Sequence, residues 1–133
     1  MKIISENQLT IEFHCPEFNP EGWMEYYTLS LSGRGMNSSV RVTNEPYGEN
    51  PLDFFKQLAE EWHGWEGEKV WSAMEGEYSM SAKSDLTGHV SINFQICSNL
   101  IEPYWNAQVA IVLESGQLDS IVIGLSEFLG QNC

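Results

Sequence analysis

The chain has 133 residues, 42% hydrophobic and 12% aromatic, with 6 basic residues against 19 acidic ones, a net charge of −13 and a pI near 4.3. That length suits a single domain spanning 1–133 that buries a core without disulfides or metal, and the composition excludes a disordered chain. The charge excludes nucleic acid and anionic membrane as partners and speeds encounter with a basic protein.

No apolar run approaches the length of a membrane span, and Met1–Glu6 lacks the apolar core of a signal peptide, so a cytoplasmic location is expected. Cys15, Cys97 and Cys133 are odd in number and widely spaced, which reads as reduced thiols rather than a disulfide framework.

In chain order, Leu9, Ile11 and Phe13 alternate with polar residues in a half-buried strand that Pro16 is expected to end. Asn19-Pro20-Glu21-Gly22 is a turn by composition. Tyr27, Leu29 and Leu31 share one face of the next strand, and Gly33-Arg34-Gly35 turns the chain into a third, Met36–Thr43.

A helix start follows. Asn50 is a good N-cap, Pro51 suits the first helical position, and Asp53 favours the helix dipole. Leu52, Phe55, Leu58, Ala59 and Trp62 fall on one helical stripe, and His63-Gly64 reads as the stop.

After the turn Trp65-Glu66-Gly67-Glu68, one strand is expected from Val70 to Lys83, with Met74, Tyr78, Met80 and Ala82 on a common face. Val90, Ile92, Phe94 and Ile96 alternate strictly with polar residues, and Trp105 to Leu113 repeats the pattern. Such alternation describes a sheet covered on one face and open on the other. Gly116–Leu129 then places Leu118, Ile121, Val122, Leu125, Phe128 and Leu129 on a helical stripe. The expected fold is α+β: a six-stranded, mostly antiparallel sheet in a βββα-βββα order with both helices on one face.

Candidate chemistry is sparse. His14, His63 and His89 are not spaced as metal ligands, and no cofactor motif occurs. His14 and Cys15 are adjacent, and adjacent strand residues point to opposite faces, which argues against a Cys–His pair. His89 reads as a hydrogen-bonding group holding the Asp85–Gly88 turn. The carboxylate pairs Glu60/Glu61, Glu66/Glu68 and Glu75/Glu77 offer acid–base chemistry only where one member is buried, and Glu75 and Glu77 are expected to share a strand face. A non-enzymatic chain is therefore expected.

The charge is concentrated. Residues 45–85 hold ten acids against three lysines. Trp62, Trp65 and Trp71 lie in the same stretch, and Trp65, between Gly64 and Gly67, is the one expected to reach a partner.

The run Gly64-Trp65-Glu66-Gly67-Glu68-Lys69-Val70-Trp71-Ser72, followed by Asp85 and Gly88-His89-Val90, resembles an uncharacterised bacterial domain family. Members of that family read Gly-Trp-x-Gly-x-x-x-Trp-x-Ser-x-(Asp/Glu), then Asp, then Gly-His-Val. This chain differs in placing Ser72 directly after Trp71. The resemblance implies a fold in which Trp62, Gly64, Gly67, Trp71, Asp85, Gly88 and His89 are structural, and it implies no activity. By size and charge the chain also resembles immunity proteins of bacterial toxin systems.

The expected function is neutralisation of a basic toxin by direct contact through Glu45, Glu49, Glu60, Glu61, Trp65, Glu66 and Glu68. Two alternatives are a small-molecule or enzymatic role for the open polar sheet face near His89 and a self-associating structural domain.

Overall fold

The computed structural model describes residues 1–46, 50–98 and 104–131. Its strands are β1 (Lys2–Ile4), β2 (Thr10–Phe18), β3 (Met24–Gly33), β4 (Met36–Thr43), β5 (Glu68–Ser72), β6 (Tyr78–Ser84), β7 (His89–Cys97) and β8 (Asn106–Glu114). Helix α1 (Pro51–Glu60) lies between β4 and β5, and α2 (Leu118–Leu129) follows β8 after a short 3-10 turn.

The single six-stranded sheet expected from the sequence is not what forms. There are two antiparallel four-stranded sheets, β1-β2-β3-β4 and β5-β6-β7-β8. Every ladder joins strands adjacent in sequence, so each sheet is a meander of local hairpins. The two extra strands have identifiable causes.

The stretch read as one strand over Val70–Lys83 breaks at Met74-Glu75-Gly76-Glu77. There Gly76 takes φ +78° and donates its N–H to Ala73 O at 3.0 Å, while Ala73 N donates to Tyr78 O at 2.8 Å. Met74, expected on the inner face, is consequently 71% exposed. Strand β1 is only three residues long, too short to show a period, yet Ile3 is buried opposite Ile11.

Pro16 does not end β2. The strand continues to Phe18 through an irregularity between His14 and Glu17, where Cys15 has φ +50°. A proline is tolerated at such a bulge because no ladder N–H is required of it. The bulge also overturns the expectation that His14 and Cys15 point apart, since Cys15 Sγ lies 3.3 Å from His14 Nδ1.

The helices divide their attachments. Phe55 of α1 stacks on Phe94 of β7 at 6.5 Å, whereas Phe128 of α2 meets Phe13 and Tyr27 of the first sheet at 6.3 and 6.1 Å. The two helices pack on each other and reach different sheets, so they do not cover one face of a common sheet. Tyr78 joins the layers, with its ring 6.1 Å from Phe13 and 6.5 Å from Phe94. One cluster of buried side chains thus draws on both sheets and both helices. Each inner face follows the alternation read in the sequence, with Ile11, Phe13, Leu29 and Leu31 on one side and Ile92, Phe94, Ile96 and Ile111 on the other, all fully buried.

Candidate partner-binding site

Helix α1 begins as its sequence dictates. Asn50 Oδ1 accepts from Asp53 N at 3.1 Å, and Asp53 Oδ2 accepts from Asn50 N at 3.4 Å, a reciprocal cap that satisfies two donors with no helical partner. Phe54, Phe55 and Leu58 bury the inward stripe.

The end of the helix departs from expectation. It stops at Glu60, with Glu61 as its cap, and a turn follows in which Gly64 N donates to Glu61 O at 2.9 Å. Trp62 therefore falls outside the helical period and off the buried stripe. It is 56% exposed, with its ring stacked on His63 at 3.7 Å.

Trp65 behaves the opposite way. It is half-buried and packs against the core cluster, its buried Nε1 has no hydrogen-bond partner among the described residues, and Lys69 Nζ lies 5.7 Å from its ring. Lys69 also bridges to Glu61 at 2.6 Å. The tryptophan available to a partner in this stretch is thus Trp62. Trp71 is buried in β5, edge-on to Tyr78 at 5.1 Å.

Trp62 lines a groove of about 390 Å³ with Ala59, Ser115, Gly116 and Asp119, between the end of α1 and the start of α2. Two sources of negative potential lie at it: Asp119 stands in the first turn of α2, and the carbonyl end of α1 has no basic residue in its last turn. Glu60, the last residue of α1, is exposed. Glu66 is exposed in the exit turn, where Gly67 has φ +76°, and Glu68 is exposed at the start of β5.

Glu45 is half-buried and lines a small cavity with Tyr27, Asn50 and Trp71, and Glu49 lies outside the described residues. The expected partner-facing carboxylates are therefore unequal. Glu60, Glu66 and Glu68 stand exposed, while Glu61 is occupied by Lys69.

The second half of the motif stretch forms a closed turn. Asp85 Oδ1 accepts from Thr87 N at 2.8 Å, Thr87 Oγ1 at 2.8 Å and His89 N at 3.0 Å, and Gly88 supplies φ +84°. The His89 and Thr87 hydrogen bonds hold the Asp85 carboxyl below the usual carboxylate range. His89 Nδ1 sits 2.8 Å from Thr87 Oγ1 and 3.5 Å from Asp85 Oδ2, so that nitrogen is held by the hairpin, while the ring lines a cavity of about 260 Å³ with Glu6, Asn7, Glu114 and Gln117. The depression on the polar side of the second sheet, about 470 Å³, is lined by Val70, Trp71, Ser72, Ser79, Met80, Ser81, Asn93 and Gln95. None of those side chains is an acid or base at neutral pH.

Glu75 and Glu77 do not share a strand face. They flank the Gly76 turn, with Glu75 exposed and Glu77 buried. Burial together with the Glu77 charge raises Tyr27 far above the ordinary phenol range. Among the described residues no helix is long and apolar enough to cross a membrane.

The model of a domain family of unknown function, DUF6228, matches residues 3–132. The chain belongs to that family. No curated protein and no solved structure matched in the corresponding comparisons.

Proposed function

We propose that the chain is a binding protein that presents Trp62 and the acidic mouth of the α1–α2 groove to a basic protein surface. The supporting observation is the exposure of Trp62, 56% free and braced by His63, beside the carbonyl end of α1, whose last turn holds no basic residue. A braced indole offers area at low entropic cost and a face for a lysine or arginine of the partner. Exposed Glu60, Glu66 and Glu68 add steering, which acts on the association rate.

In its most specific form the partner is a basic toxin domain, and the acidic surface occupies a cleft shaped for phosphates. The test is titration against basic toxin domains encoded beside the chain's own gene. Trp62→Ala is expected to weaken binding by about thirtyfold, the effect of losing a hot-spot tryptophan. Reversal of Glu60, Glu66 and Glu68 to lysine is expected to slow association and flatten its salt dependence. Binding that is indifferent to both changes would remove this face from the interaction.

A further inference from the structure

The bulge in β2 assembles side chains that the binding function does not use. Cys15 is exposed, and its left-handed φ of +50° turns the thiol back toward the preceding residue. Its Sγ lies 3.3 Å from His14 Nδ1, His14 Nε2 lies 2.6 Å from Ser30 Oγ, and Ser30 Oγ lies 2.7 Å from Ser39 Oγ.

Two proton arrangements, of opposite direction, satisfy the chain of contacts, and the one that makes His14 a base leaves its Nδ1 lone pair toward the thiol. Nε2–H donates to Ser30, Ser30 donates to Ser39, and the Nδ1 lone pair accepts from the thiol. A nucleophile is thus in reach of a base whose ring is oriented by a third group. Cys97 provides a contrast within the same molecule, for its Sγ donates to Gly76 O at 3.3 Å, an acceptor that takes no proton.

We infer that Cys15 and His14 form a nucleophile–base pair that undergoes thiol–disulfide exchange with small disulfides. The thiol proton passes to His14 Nδ1 as the sulfur attacks one sulfur of the disulfide. A Cys15–S–S–R bond forms, the original S–S bond breaks, and the leaving RS⁻ takes the proton from Nδ1 to depart as RSH. The number of disulfides is unchanged, so no further oxidant is needed. An exposed thiol on a strand has no walls with which to orient an unactivated carbonyl. A disulfide suits it because it is reactive unaided and its leaving group can use the same proton. His14 is the base, and Ser30 is a positioning residue.

The test uses oxidised glutathione at neutral pH with the full chain carrying Cys133→Ser, the site of modification being resolved by peptide mass spectrometry. Cys15 is expected to form the mixed disulfide roughly tenfold faster than Cys97, whose thiol donates to a carbonyl oxygen rather than to a base. His14→Asn should remove that advantage at Cys15 and leave Cys97 unchanged. Ser30→Ala, which keeps the ring, should slow Cys15 by a few-fold. Equal rates at Cys15 and Cys97 would overturn the inference. So would a His14→Asn chain of unchanged circular dichroism whose Cys15 rate stays within about twofold of the parent.

Discussion

The hairpin between β3 and β4 allows a controlled test of why two glycines flank Arg34. Gly33 pairs with Met36, leaving Arg34-Gly35 as a two-residue loop with φ of +55° and +86°, the positive pair that a I′-type turn requires. A Cβ added at Gly35 meets nothing within 4 Å among the described residues, so Gly35→Ala should cost only the conformational penalty of a left-handed alanine, about 1–2 kcal/mol. Gly33 has φ +123°, and a Cβ there would stand 2.2 Å from Gln8 O and 3.1 Å from Leu9 Cα.

Those atoms are backbone and cannot swing aside. Gln8 itself has φ +68°, and the Ser5–Leu9 turn is tied by Ser5 N to Leu9 O at 2.9 Å. Relief requires moving one hairpin off the other by about an ångström, which loosens close packing between the two turns. Gly33→Ala should therefore cost at least about 3 kcal/mol, a large share of the roughly 5–15 kcal/mol available to a domain of this size. Urea unfolding followed by tryptophan fluorescence measures both variants, and the melting temperature of Gly33→Ala should fall by roughly 10 °C. If Gly33→Ala unfolds within about 1 kcal/mol of Gly35→Ala, the turn-on-turn contact carries no weight and the reasoning fails.

Phe55→Ala removes a fully buried ring stacked on Phe94 at 6.5 Å and edge-on to Phe54 at 5.9 Å, and should cost about 3–5 kcal/mol by denaturant titration. Asp85 has a lowered folded pKa, so its contribution to stability is complete above the unfolded value near ~4 and is lost as pH falls through the folded one. Unfolding midpoints should consequently drop at acid pH in the parent and drop less in Asp85→Asn. Equal acid limbs in the two chains would dissociate Asp85 from acid unfolding.

Much of the local architecture is legible in the amino-acid order because the forces involved are local. Asn50, Pro51 and Asp53 announce the start of α1, since the groups they satisfy lie within one helical turn. The alternation in β7 and β8 marks their buried faces, since side chains on a strand repeat every two residues. The Asp85–His89 turn is readable for the same reason, as its carboxylate closes on donors two and four residues away.

What escaped depends on partners far away in the chain. Nothing local says whether β4 pairs with β5, so one sheet of six strands and two sheets of four are equally compatible with the pattern. Gly76 was the available hint that β5 and β6 are separate. Trp62 lies in solvent rather than on the core stripe because α1 stops two residues before the periodic pattern does, and helix ends carry weak signals. His14 and Cys15 meet only because β3 holds β2 in a bulged register, an outcome of cross-strand hydrogen bonding. Composition and periodicity established an acidic chain with apolar faces to bury. Pairing across the chain chose which edges stay open, which indole faces water, and which thiol sits beside a base, since those contacts are set by residues distant in sequence.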